Sequence, residues 1–164
     1  MSNRAISLVL GSGGARGLAH VGVIRWLEEN GHEIRSISGC SIGSLIGGAH
    51  ATGKLDAVVE WMESFTKKEI YSMLDLSFTW NSLVKGDKMM AAIQNKIGTD
   101  LIEDLPIKFT AVAADIAAEK EHWFQSGGNR PGDQSIGLTA TVFYATQCGW
   151  GAVDRRRHTE PHPH

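Results

Sequence analysis

Cysteine is scarce in this chain. Cys40 and Cys148 are the only two among 164 residues; they make no metal-ligand pattern, and one disulfide between them is possible but nothing in the sequence suggests it. No metal and no cofactor are therefore expected. Net charge is small as well, −2 from 16 basic and 18 acidic side chains, which leaves no basic footprint for nucleic acid. No apolar run approaches the roughly 20 residues of a membrane span. The apolar stretch that ends at Leu10 is too short for the h-region of a secretory signal, so the cytoplasm is the expected location. The chain contains no internal repeat and no linker. With 42% hydrophobic residues it can bury one core.

What is present is glycine, gathered in two clusters. The second is the organising one: Ile34-Arg35-Ser36-Ile37-Ser38 reads as a short strand, Gly39-Cys40-Ser41-Ile42-Gly43 as a sharp turn, and Ile42 onward as a helix rich in small residues. That is the shape of a G-x-S-x-G nucleophile elbow. The chemistry requires a glycine on either side because the serine is held in a strained backbone conformation, and a Cβ two residues away would collide with the neighbouring strand or helix. Ser41 is then expected to project from a helix N-terminus, where N–H groups and the dipole favour negative charge. The neighbouring Cys40 reads as a small buried residue.

Upstream, Ala5 to Leu10 is an apolar run of strand length, followed by Gly11-Ser12-Gly13-Gly14-Ala15-Arg16-Gly17 and then by Leu18, Val21, Ile24 and Leu27 at helical spacing. A glycine loop between a strand and a helix offers unobstructed N–H groups, which suit a phosphate and suit equally the oxyanion of acyl transfer. A dinucleotide fold would need an acidic residue at the end of the second strand. Ser36, Ile37 and Ser38 stand there instead, and the strand runs straight into Ser41. The favoured reading is a serine hydrolase with both loops at the carboxyl ends of adjacent parallel strands, where open α/β sheets carry their sites. The competing reading, from another class, is a non-catalytic remnant or an anion- or nucleotide-binding α/β module.

These residues resemble the patatin-like phospholipases. Gly11 to Val23, with Arg16 and Gly17, looks like the glycine-rich oxyanion segment of that family, and Gly39 to Leu45 looks like its nucleophile motif. Phe109 to Asp115 followed by His122-Trp123-Phe124 is similar to its next strand pair. The resemblance covers about residues 5 to 126. It implies an α/β three-layer fold with a mostly parallel central sheet, truncated on the C-terminal side. It also implies Ser41 as nucleophile and Gly13, Gly14, Ala15 and Arg16 as oxyanion stabilisers. The substrate implied is a lipid or lysophospholipid acyl ester, with peripheral membrane contact and no nucleic-acid partner.

In chain order the reading is strand 5–10, helix 17–30 closed by Gly31, strand 33–38, and helix 42–52 continuing as helix to Ser64. An irregular apolar insert follows over 65–85, then helix 87–97, strand 108–114, a turn at 117–119 and a strand at 122–124. His20 and His50 fall on helices and His32 on a connector, where surface or satisfied histidines are expected. His122 follows Asp115 in the Ser, Asp, His order of α/β-hydrolases, whereas patatin-like enzymes use a serine and aspartate dyad in which the aspartate of an Asp-Gly-Gly or Asp-Gly-Ala motif is the general base.

That motif is missing, for no aspartate in the chain is followed by glycine. Composition also shifts after Gly128, ending in Arg155-Arg156-Arg157-His158-Thr159-Glu160-Pro161-His162-Pro163-His164. Written as CGA CGG CGG CAC ACT GAA CCC CAT CCC CAC and moved forward by one nucleotide, this tail becomes Asp-Gly-Gly-Thr-Leu-Asn-Pro-Ile-Pro. The same shift turns Asp133-Gln134-Ser135-Ile136 into Ile-Arg-Ala-Ser, which resembles the segment before the family's aspartate motif. The expected organisation is an incomplete patatin-like domain over 1–128 and an out-of-frame or disordered tail over 129–164.

Overall fold

A computed structural model describes residues 4–66, 91–115 and 119–126. The apolar insert read over 65–85 lies almost wholly outside the described residues, and the tail from 129 lies outside them entirely.

Four strands form one sheet in the order β1 (Arg4–Leu10), β2 (His32–Cys40), β3 (Lys108–Asp115) and β4 (Lys120–Phe124). The first three are parallel and β4 returns antiparallel to β3, so the sheet is mostly parallel and the fold is α/β, as expected. Helices α1 (Ala19–Glu29), α2 (Ile42–Ala51) and α3 (Leu55–Glu63) fill the crossovers, and residues 91–97 are helical too. Because parallel crossovers are right-handed and the strand order runs steadily across the sheet, these helices fall on one face.

The burial pattern agrees. Leu10, Ile34, Ile37, Phe109, Ala111 and Ala113 alternate onto the helix side and join Val21, Ile24, Ile46, Val58, Ile93 and Ile97 in a single core. A register shift between Ile6 and Ser7 pairs Ile6 with Ile34 but Ser7 with Ser36. This bulge lets Ile34 and Ile37 face the same side although they are three residues apart. Helix α2 is buried from Ile42 to Ala49, and it lies so close to the sheet that a Cβ on Gly47 would stand 2.7 Å from Ile37 and 3.2 Å from Phe109. On the opposite face the alternate residues include Ser7, Ser36 and Ser38 beside the apolar Val9, Val112 and Trp123. The Ser36 hydroxyl donates to Ser7 at 2.6 Å, while Val9 and Trp123 are 83% and 51% exposed.

Four local readings change. The helix expected from residue 17 is a 3-10 helix over Gly14–Leu18 that passes into α1 at Ala19. His32 is the first residue of β2, stacked on Trp26 with ring centroids 6.2 Å apart. The helix expected to run unbroken to Ser64 is interrupted between α2 and α3, where Gly53 takes φ +72° and the Lys54 N–H turns back to the Ala49 carbonyl at 2.8 Å. The fourth is Cys40, which is half-buried rather than buried. Gly31 closes α1 as read, with φ +75° and its N–H on the Glu28 carbonyl.

Candidate active site

Ser41 is the single residue between β2 and α2. Its backbone stands at φ 54°, ψ −124°, a region disfavoured for any residue with a Cβ and worth about 1–3 kcal/mol of strain. Two contacts hold it there. The Ser41 carbonyl accepts from the N–H groups of Ser44 at 2.8 Å and Leu45 at 3.2 Å, so the helix starts at once. The Ser44 hydroxyl, fully buried, donates to the Gly39 carbonyl at 2.6 Å, tying the end of the strand to the first turn of the helix. A serine at an N-cap ordinarily spends its hydroxyl on the helix's own N–H groups. Ser41 makes no such bond, and its Oγ is left for other chemistry.

Both flanking glycines are required by close approach. A Cβ on Gly39 would lie 2.5 Å from the Gly43 carbonyl oxygen, and one on Gly43 would run into the carbonyl of Leu10 and stand 2.8 Å from that of Gly11. The second contact matters most for the site, because it presses the elbow directly against the start of the glycine loop. Ser44→Ala should lower stability by about 1–3 kcal/mol, since the buried Gly39 carbonyl loses its donor. Urea unfolding would check this, and an unchanged midpoint would show that the bond contributes nothing to the elbow.

The glycine loop leaves β1 at Leu10, which pairs with Gly39, so the two motifs share one end of the sheet. Gly13 (φ 153°) and Gly14 (φ 56°) turn the chain into the short 3-10 helix, where the Arg16 N–H reaches the Gly13 carbonyl at 3.2 Å. The N–H groups of Gly14 and Ala15 open that helix and have no partner within it. Gly17 is buried against Ile42, whose side chain occupies the space a Cβ there would need. Ile42 is the first residue of α2. The loop that holds Gly11, Gly13, Gly14, Ala15, Arg16 and Gly17 thus meets the turn that holds Gly39, Ser41 and Gly43 at one end of the sheet, through Leu10 and Gly11 against Gly43 and through Gly17 against Ile42.

Other candidates stand differently. Burial pushes the Cys40 thiol up, which keeps it protonated and poorly nucleophilic beside Ser41. His122 is paired with Ala113 on the far side of β3, two strand spacings or about 10 Å from the line of β2, whereas a general base must come within about 3 Å. His50 lies near Glu28 at 3.7 Å, at the opposite end of α2 from Ser41. Among the described residues no group of three or more His, Cys, Asp or Glu could hold a metal ion, and no helix is long and apolar enough to cross a membrane.

A family model, that of patatin-like phospholipase, matches the chain over residues 8–150. The chain belongs to the patatin-like phospholipase family. An uncharacterised NTE family protein of Mycobacterium tuberculosis is 44% identical over 126 residues, 77% of this chain and 35% of its own length. A patatin-like phospholipase domain-containing protein of Caenorhabditis elegans is 39% identical over 135 residues, 77% of this chain and 10% of its own. Lysophospholipase nte1 of Aspergillus fumigatus is 38% identical over 134 residues, 77% of this chain and 9% of its own. This patatin-like chain therefore spans about a third of the mycobacterial relative and about a tenth of the other two. Two residues that adjoin Ser41 or the glycine loop were not singled out for the site from the sequence. One is Ile42, the residue after Ser41, a position the elbow pattern itself marks; the other is His20, whose ring contact with Gly11 no local pattern announces.

Proposed function

We propose that this chain carries the nucleophilic half of a lipid acyl-ester hydrolase, of phospholipase A or lysophospholipase type. The observation that carries the reading is Ser41 held at φ 54° with its hydroxyl uncommitted, against a glycine loop whose first N–H groups have no partner in their own helix. In the proposed reaction the Ser41 Oγ attacks the ester carbonyl carbon and its proton passes to a carboxylate base. The oxyanion is held by the N–H groups of Ile42 and of Gly13, Gly14 and Ala15, with the charge of Arg16 nearby. The lysolipid or glycerophosphoryl alcohol then leaves with the proton. Water hydrolyses the acyl-serine by the reverse sequence and releases the fatty acid.

The base is proposed to be the aspartate of the Asp-Gly-Gly that the tail spells one frame over. The names lysophospholipase and patatin-like phospholipase carried by the relatives support the substrate class. Val9 and Trp123, both exposed, support a peripheral contact with a lipid surface. An alkyl fluorophosphonate should attach to Ser41, slowly in the 164-residue chain and fast in one carrying the in-frame motif, with no adduct in Ser41→Ala. If neither chain is labelled while inorganic phosphate binds the loop, the site is an anion-binding module.

A further inference from the structure

The glycine loop is soft by composition, since Gly11, Gly13 and Gly14 give it more backbone freedom to lose than any other residue type would. An oxyanion hole works by being in place before the charge develops. Something must therefore hold the loop, and within it the Arg16 to Gly13 bond is local to the first turn of the 3-10 helix. The one side-chain contact that closes the loop end to end, among the described residues, is made by His20. Its Nε2 lies 3.0 Å from the Gly11 carbonyl oxygen. A carbonyl can only accept, so Nε2 is the nitrogen that carries hydrogen and donates.

The geometry points to His20 as a positioning residue for the oxyanion loop, acting through Gly11. His20 is the second residue of α1, and Gly11 is the first residue after β1. Their bond staples the two ends of the loop, with the 3-10 helix between them. The Gly11 carbonyl it grips also faces Gly43, 2.8 Å from where a Cβ there would lie. The staple therefore fixes the loop relative to the elbow and not merely to itself. His20 is half-buried, and its Nε2 is engaged with Gly11, so this contact assigns it no proton transfer. Its role is to limit the loop to one arrangement. The catalytic meaning of that role rests on the hydrolase reading above; the staple itself does not.

The test compares His20→Phe, which keeps a ring without a donor, with His20→Gln, whose amide can donate from nearly the same place. Amide hydrogen exchange of the 164-residue chain is read by segment, and the rate of fluorophosphonate attachment to Ser41 is read beside it. His20→Phe should speed exchange across residues 11–18 about five- to tenfold, the worth of one hydrogen bond, leave β2 and β3 unchanged, and slow labelling by a similar factor. His20→Gln should recover most of both. Unchanged exchange over 11–18 in His20→Phe would overturn the assignment, as would faster exchange spread evenly over the whole sheet, which marks general destabilisation. If the unsubstituted chain takes up no label, the hydrolase reading fails, and exchange alone decides whether the staple holds.

Discussion

Gly43→Ala is expected to abolish cooperative unfolding of the chain, together with any labelling of Ser41. The added methyl would meet the carbonyl group of Leu10, with the carbonyl carbon at 2.6 Å, and the Gly11 carbonyl oxygen at 2.8 Å. All of these are backbone atoms, and those of Leu10 are fixed by the pairing of β1 with β2. No rotamer change relieves such a clash. Overpacking by a methylene among flexible side chains costs about 1–3 kcal/mol; here the strand or the helix must move bodily, and the loss should exceed about 4 kcal/mol, the range in which single substitutions become exceptional. Gly22→Ala is the control. It lies mid-helix in α1 with nothing within 4 Å of its added Cβ, so it should stabilise by up to about 1 kcal/mol through helix propensity. Melting and urea curves of the two variants against the parent would settle the matter. A Gly43→Ala chain that unfolds within about 1 kcal/mol of the parent would mean that the elbow is not packed on the loop.

Rewriting the tail in the alternative frame from about residue 128, so that the chain ends through Asp-Gly-Gly, is expected to raise hydrolysis of lysophospholipid and of short p-nitrophenyl esters by about 10⁴–10⁶. That is the scale on which serine hydrolases lose turnover when one member of the catalytic set is removed. Ser41→Ala in the rewritten chain should return the rate to the level of the 164-residue chain without unfolding it, because the Ser41 side chain makes no capping bond. Assay of the four combinations, each serine state in each frame, gives the coupling directly. Equal turnover in the two frames would refute the frameshift and bring forward Asp115 with His122 as the base, in spite of the strand spacing between β2 and β4.

The first half of the fold was legible because each motif carries its own geometry. Apolar runs ending in glycine announced β1 and β2, and Gly39 and Gly43 announced the turn between a strand and a helix. What stayed hidden was non-local. The bulge opposite Ile6 leaves no mark in β1 or β2, since Ile34 and Ile37 on one face fit a helical period as well as a bulged strand. The break after α2 was marked by Gly53, but an apolar pattern continuing through Leu55, Val58 and Met62 outweighed one glycine. The 3-10 turn before α1 owes its start to Gly13 and Gly14 at positive φ, conformations that a string of glycines permits without specifying. The bond from His20 to Gly11 joins two residues nine apart that no periodic pattern relates. At the site, the motifs named the residues, and their meeting at the carboxyl ends of adjacent parallel strands was expected with them and is seen in the pairing of Leu10 with Gly39.

The backbone of Ser41 has one more implication, for how this gene would change with time. At φ 54°, ψ −124° glycine is the residue the fold itself would choose, and a serine there holds the chain above its lowest free energy by about 1 kcal/mol or more. On the hydrolase reading proposed above, selection for activity opposes that preference while the hydroxyl performs chemistry; once the chemistry stops, nothing does. In descendants of a copy that is still expressed and folded but no longer uses the hydroxyl, substitutions at position 41 would then be enriched for glycine ahead of the core positions Ile37 and Ile46, where a smaller residue opens a cavity. A lineage of such copies would record the end of catalysis at this codon first.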